Sequence, residues 1–303
     1  MSYFDLYHSG ELVRRIKAAY ARLACCDLCP HACGVNRLAG ELGRCGCGKT
    51  PRIASANIHR GEEPPISGSR GSGTIFLSGC TLNCKFCQNF PISQLRNGTD
   101  LATGKLADSM LALQRKGAHN INFVTPTHFT PQILASLHLA IRKGFNLPIV
   151  WNTSGYERVD TLRLLEGVVD VYLPDMKYSS DQEAVRISGA PGYREANRLA
   201  VAEMLRQVGQ LDCDEDGIAR QGLIVRHLVL PEGRAGSAGT LEWIAENLGL
   251  QTHIALMSQY FPAHVARETA GIDRRVTAEE YGEAVDALEE FGLENGWVQE
   301  EPG

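Results

Sequence analysis

The chain has 303 residues, a formal charge of −5, 44% hydrophobic and 21% charged residues, the composition of a globular protein with a substantial core. Its basic residues are scattered rather than gathered into a patch or an arginine-rich arm, which argues against a nucleic-acid partner. No apolar run approaches the length of a bilayer crossing, and the N-terminus MSYFDLYHSGELVRRIK lacks the order of a secretory signal; a cytoplasmic location without a membrane partner is expected.

Residues 8–24 (HSGELVRRIKAAYARLA) carry apolar positions at helical spacing behind Ser9 as a cap candidate, which predicts a short amphipathic helix. Residues 25–48 then read CCDLCPHACGVNRLAGELGRCGCG. The chain has ten cysteines, nine of them before residue 88, and in a reducing compartment clustered thiols argue for metal or redox chemistry rather than disulfides. Only Cys213 lies outside, and it reads as a small surface or core side chain.

The cysteine-rich stretch has little apolar periodicity and cannot bury enough surface to fold without a staple. Cys26, Cys29, Cys33 and Cys45 have spacings that close a tetrahedral zinc site or ligate an iron-sulfur cluster, and Cys25 and Cys47 are spare neighbours that could replace Cys26 or Cys45. Ligand softness does not separate the two metals. A structural role is the stronger reading, because metal binding would fold the segment; an electron relay is the sharper alternative.

RIASANIHR reads as a strand and GEEPPISGSRGSG as a loop broken by Pro and Gly. His59, Glu62 and Glu63 are placed to line an opening above the next strand, with a solvated turn as the alternative. Beyond this loop GTIFLSG, NINFVTP, LPIVWNT, VDVYLPD, LIVRHLVLP and HIALMSQ alternate with amphipathic helical segments. Such a pattern predicts an α/β fold, a partial (β/α)6 TIM-type barrel, with its chemistry at the C-terminal strand ends. The expected divisions are an N-terminal helix and cysteine-rich metal-binding module over 1–68, the barrel over 69–265 and a C-terminal helical extension over 266–303. In that extension Thr277 and Glu280 form a capping box for TAEEYGEAVDALEEFG.

The stretch SGCTLNCKFCQNFPIS holds Cys80, Cys84 and Cys87 directly after an apolar strand. Three thiolates from one tight turn leave one iron of a [4Fe-4S] cluster without a protein ligand, an open position for a substrate or cofactor. The alternatives are a zinc site with a remote fourth ligand or three idle cysteines.

A CxxxCxxC loop after the first barrel strand, with Phe86 before the last cysteine, resembles the radical S-adenosylmethionine (SAM) enzymes. Together with the cysteine-rich front and the GEEPPISG loop, it resembles the pyruvate formate-lyase activating enzyme-like group. The resemblance implies that SAM chelates the open iron and that one electron, from a reductant such as flavodoxin or ferredoxin, splits it to a 5′-deoxyadenosyl radical that abstracts hydrogen. A backbone glycine of a partner protein is the leading target, and a small metabolite or a peptide the second.

For SAM the resemblance implies Phe86 and Gln88 beside the last cysteine, Thr127 and His128 at the second strand end, Asn152 at the third, and Asp175 and Lys177 at the fourth. Where many members have Gly-Gly-Glu, this chain has Thr125-Pro126-Thr127-His128. A monovalent cation between the third and fourth strand ends is also implied, with Thr153 and Asp175 matching two ligands and Asn152 replacing the usual Asp. On the residues alone, Asp175 and Lys177 would be a surface ion pair, and Thr130-Pro131 a helix start. Only one of Arg226 and His227 can face the barrel interior, and a buried arginine needs a carboxylate from SAM, the substrate or the protein. The rival class is an iron-sulfur or zinc protein that only transfers electrons; polar strand ends count against it, since a relay needs no cofactor pocket.

Overall fold

The structure, a computed structural model, describes residues 2–300. Among them ten strands form one sheet: β1 (Arg52–His59), β2 (Ser72–Leu77), β3 (Thr99–Asp100), β4 (Ile121–Val124), β5 (Ile149–Thr153), β6 (Val171–Pro174), β7 (Asp212–Cys213), β8 (Ala219–Leu228), β9 (His253–Met257) and β10 (Gly296–Val298). The six expected core strands run parallel in the order β2-β4-β5-β6-β8-β9. A seventh parallel strand, β10, follows β9, while β1 lies antiparallel to β2 and β3 lies beyond it. The mostly parallel sheet is open, a partial TIM-type barrel with one more parallel strand than expected. Three residues, GWV, are too few for periodicity to reveal β10; its partner β9 makes it a strand.

The helices are α1 (Tyr3–His8), α2 (Glu11–Ala21), α3 (Pro64–Ser67), α4 (Phe90–Ser93), α5 (Thr103–Arg115), α6 (Thr130–Ile141), α7 (Val159–Leu162), α8 (Asp181–Ser188), α9 (Tyr193–Val208), α10 (Ser237–Asn247) and α11 (Ala278–Glu290). None is long and apolar enough to cross a membrane. Ser9 is not the N-cap residue of the expected helix, although its Oγ accepts from Glu11 N at 3.4 Å. It ends α1, which Ser2 and Asp5 cap reciprocally, and α2 begins after Gly10 in a left-handed conformation. At α11 the expected capping box forms, with Glu280 N donating to Thr277 Oγ1 at 3.2 Å and Thr277 N to Glu280 Oε2 at 2.9 Å.

Alternation along the strands sends Phe123, Trp151, Tyr172 and Val225 toward the helices and Val150, Val171, Leu173 and Ile224 into the interior. His59 pairs with Ser72 at the N-terminal end of β2, so the loop after β1 enters the barrel from below. There α3 forms a floor: Ile66 is fully buried among Val150, Val171, Leu173 and Ala219, and its carbonyl accepts from Asn120 Nδ2 at 2.8 Å. Much of the segment before residue 68 packs on the rest of the chain. Tyr3, Leu6 and Leu12 join the main core, α2 packs on α6, and β1 belongs to the sheet, because these apolar faces have no other surface to cover them. Only Leu23, Cys26 and Leu28, with Tyr20 and Val35 against them, make a small core of their own.

Below β5, Asp170 Oδ2 accepts from Ile149 N at 2.7 Å, and burial pushes its carboxyl up to about 6. The folded chain then holds this proton more tightly than the unfolded chain, so stability present below the ordinary carboxylate range is lost as pH rises through about 6. Asp170→Asn keeps the acceptor and removes the titration. Urea unfolding from about pH 4 to about pH 7 should show the native protein falling relative to this variant by on the order of 1–2 kcal/mol; parallel curves would contradict the assignment.

Candidate active site

Past β2 the chain turns at Ser78 and Gly79, where Ser78 N donates to Arg52 O and Gly79 N to Ile92 O, both at 2.9 Å. The following loop is tied to the end of α8 by Asn83 N to Ser188 O and Lys85 N to Ile187 O, again both 2.9 Å. Phe86 is buried edge-on against Tyr260, with centroids 5.5 Å apart, and exposed Gln88 donates to Gln259 O at 3.2 Å. Neither lines the cavity beside the cysteines; both brace the loop against the segment after β9.

Cys80, Cys84 and Cys87 line one cavity at the C-terminal ends of the strands. Each sulfur has a local hydrogen-bond partner: Leu82 N donates to Cys80 Sγ at 3.3 Å, Ser188 Oγ to Cys84 Sγ at 3.0 Å, and Cys87 Sγ lies 3.1 Å from Ser93 Oγ. Burial pushes the Cys84 thiol up to about 11, so a thiolate there needs the compensating charge of a metal. Among the described residues no three His, Cys, Asp or Glu side chains gather tightly enough to hold a single ion. Three thiols around a shared cavity suit ligands on separate irons of one cluster, and the donor set fits a [4Fe-4S] centre with one iron left open.

The opposite wall carries charge. Lys177 Nζ donates to Asp175 Oδ2 at 2.7 Å, Arg226 Nε to Asp175 Oδ1 at 2.9 Å and Arg226 Nη2 to Asn152 Oδ1 at 2.8 Å. Asp175 and Lys177 are not a surface pair, since their side chains are only 12% and 15% exposed. Burial alone would raise the Asp175 carboxyl, but Arg226 and Lys177 outweigh it and hold it below the usual range. Arg226 faces inward and His227 outward, as alternation requires; His227 Nδ1 lies 2.6 Å from Met176 O, and burial pulls the ring down to about 4.

Glu62 and Glu63 lie beneath this layer, in the interior rather than in a solvated turn. Asn152 Nδ2 donates to Glu62 Oε2 at 3.4 Å, and Glu62 Oε1 lies 3.0 Å from His59 Nδ1. Glu63 Oε1 is 3.8 Å from Arg226 Nη1, its Oε2 is buried without a partner, and burial raises its carboxyl.

Radical SAM superfamily sequences match this chain over residues 74–215, which contain the three cysteines. An uncharacterized protein of Methanocaldococcus jannaschii is 32% identical over 276 residues, spanning 89% of this chain and 75% of that protein. The chain carries a radical SAM superfamily domain. It is an enzyme of that class, and membership implies a [4Fe-4S] cluster, SAM and a reductant. Similar solved structures include a radical SAM methyltransferase from Sphaerobacter thermophilus (TM-score 0.47, 17% identity, 75% of this chain and 66% of that one). Another is HydG, a maturase of the [FeFe]-hydrogenase (TM-score 0.46, 11% identity, 73% of this chain and 49% of that one).

Within the radical SAM fold two expected SAM contacts are turned away. Thr127 Oγ1 donates to Glu157 Oε1 at 2.7 Å and His128 Nε2 sits 2.9 Å from Ser78 O; both residues are buried and outside the cavity. Glu157, fully enclosed, also accepts from Trp151 Nε1 at 3.2 Å and Thr153 Oγ1 at 2.7 Å. The expected cation position is likewise filled otherwise: the Thr153 hydroxyl is committed to Glu157, and the Arg226 guanidinium bridges Asn152 and Asp175. Residues missed in the sequence include Asn89, Thr125 and Ser154, which line the cavity. Thr125 has φ of 57°, a strained value for a β-branched residue, at the end of β4. No residue pattern announces that conformation.

The cysteine-rich segment sits against the same loop. Cys26 N donates to Val35 O and Gly34 N to Cys26 O, folding the segment back on itself, and a Cβ on Gly43 would lie 3.2 Å from Cys33 Sγ and 3.6 Å from Cys45 Sγ. Cys47, buried, donates to Ser78 O at 3.5 Å. A Cβ on Gly79, whose φ is 82°, would approach Cys47 Sγ to 2.4 Å; the close approach of the two cysteine segments requires glycine there. Cys25 is exposed. Arg37 is 1% exposed and makes no ion pair with a described residue; its guanidinium donates to Gly48 O at 3.1 and 2.6 Å and meets Cys26 Sγ at 3.8 Å.

Proposed function

We propose that the protein is a cytoplasmic radical SAM enzyme of the pyruvate formate-lyase activating enzyme-like group, abstracting hydrogen from a backbone glycine of a partner protein. The observation that carries the reading is the meeting of three loop thiols with the Asp175, Lys177 and Arg226 charges and the Asn152 amide on one cavity at the barrel mouth. When bound and reduced, the cluster and SAM would supply radical chemistry that abstracts hydrogen, one electron releasing methionine from SAM and its 5′ carbon taking the hydrogen of the glycine Cα.

Cys80, Cys84 and Cys87 would hold the cluster. Asn152, Ser154, Asp175 and Lys177 would orient SAM, and Arg226, charged at any working pH, supplies the positive charge that a monovalent cation would otherwise bring. Cys26, Cys29, Cys33 and Cys45 would hold a second metal, zinc or an iron-sulfur cluster; as no three of them gather around a single ion, ligands on separate irons of a cluster suit them better than zinc. Arg37 supports that part of the reading: a buried guanidinium without a carboxylate is tolerable beside an anionic thiolate centre.

Isotope transfer tests the substrate class. Extract from cells grown on α-deuterated glycine is divided into macromolecular and small-molecule fractions and given to the reconstituted, reduced enzyme with SAM. Deuterium entering 5′-deoxyadenosine from the macromolecular fraction is the expected result. Turnover driven only by the small-molecule fraction would replace the glycyl reading with metabolite chemistry.

A further inference from the structure

We propose that the surface above Cys45 and Cys80 is the docking site of an acidic one-electron carrier, a small ferredoxin-type protein, which delivers the electron there. The inference rests on the radical SAM reading, which already implies a reductant, and adds where on the molecule that partner docks and the charge it carries.

Cys80 lines two cavities. One is the barrel mouth with Asp175 and Lys177; the other, of about 370 Å³, opens outward between Arg44 and Arg96 and also reaches Cys45. Other approaches to the loop are covered: Ser188 closes over Cys84, and Tyr260 over Phe86. An electron entering at Cys80 from the outer side therefore does not compete with a cofactor held on the inner side.

The outer rim is basic. A second cavity of about 350 Å³ adjoins the first, shares Arg96 and reaches Cys47, with Lys49 and Arg52 on its wall. Arg52 pairs with Asp100 at 2.6 Å, but Arg44, Lys49 and Arg96 are exposed and make no ion pair with a described residue. The nearby Glu41, also exposed, accepts from Asn36 N at 2.7 Å and pairs with none of these cations. Leu42 and Leu95, 57% and 61% exposed, add apolar area among these cations.

A chain of net charge −5 repels an acidic partner at long range, so a local excess of uncompensated cations over the cysteines sets where such a partner can dock. In the transfer one electron leaves the reduced carrier and is taken up at the site of Cys80, Cys84 and Cys87. The carrier is oxidised by one electron and no bond is made or broken.

The test uses the full chain loaded with iron and sulfide and a reduced acidic [4Fe-4S] ferredoxin, following cluster bleaching by stopped flow. R44E/R96E is expected to slow bleaching by about tenfold or more, and raising salt from about 20 mM to about 500 mM to slow the native protein similarly. K49E, further from the cluster loop, should slow it by about threefold. Iron content and bleaching by dithionite should not change, which separates docking from loading. R115E/K116E, at the far end of α5 and below the barrel, is the charge-matched control and should leave the rate as it is. Native rates in both R44E/R96E and K49E, or an equal loss in R115E/K116E, would overturn the proposal; absence of a cluster in the native protein would instead defeat the radical SAM reading on which it rests.

Discussion

Asp175→Asn should destabilise the folded protein by about 3 kcal/mol and abolish tight SAM binding, because it leaves two buried cations facing one another without their anion. In the native structure Asp175 receives Lys177 on one oxygen and Arg226 on the other, all three enclosed. The amide keeps the shape and one acceptor but not the charge. Burial then acts unopposed on Lys177, whose ammonium is held charged mainly by this carboxylate. Urea unfolding measures the loss, and Asp175→Asn combined with Arg226→Met should recover part of it, since residues in direct contact couple. A loss below about 0.5 kcal/mol in the single variant would mean that the pair is solvated and the charged wall adds little.

The second large effect lies in the cysteine-rich segment. Replacing both Cys26 and Cys29 with serine should release one metal centre and unfold residues 22–49 while the barrel stays folded. The segment's own core is only Leu23, Cys26 and Leu28 with Tyr20 and Val35, far too little to offset the ordering of its backbone. Metal analysis and hydrogen exchange check this together: loss of zinc or of one cluster's iron, with fast exchange confined to the segment. Slow exchange in the variant would show that contacts with the loop at Ser78 and Gly79 suffice to hold it.

Much of the architecture could be read from local pattern. Near-continuous apolar runs separated by amphipathic helices imply parallel strands, and the six segments found in this way are the six central strands. Thr277 with Glu280 announced the start of α11 because a capping box is a local device. What local pattern cannot carry is pairing at a distance. β10 exists through β9, the floor made by Ile66 depends on side chains from three strands, and Ser9 falls between two helices because Ser2 begins one about two turns earlier.

The same division runs through the site. A CxxxCxxC loop is compact enough to signal its chemistry, and strand alternation set Arg226 against His227. Thr127 and His128 stand where the resemblance puts cofactor contacts, but the direction of their side chains is set by Glu157 and Ser78, which sequence order does not place beside them. The interior position of Glu62 and Glu63 follows from α3 folding up into the barrel, an outcome of tertiary packing.

The most direct test of the central claim is 5′-deoxyadenosine itself. The native protein and a variant with Cys80, Cys84 and Cys87 changed to alanine are reconstituted anaerobically with iron and sulfide, reduced with dithionite, given SAM and assayed by mass, with and without the macromolecular fraction. Product from the native protein and none from the variant is the predicted result. A native protein shown to be loaded and reduced that forms no 5′-deoxyadenosine under either condition, or a variant that forms as much, would contradict SAM cleavage at this loop.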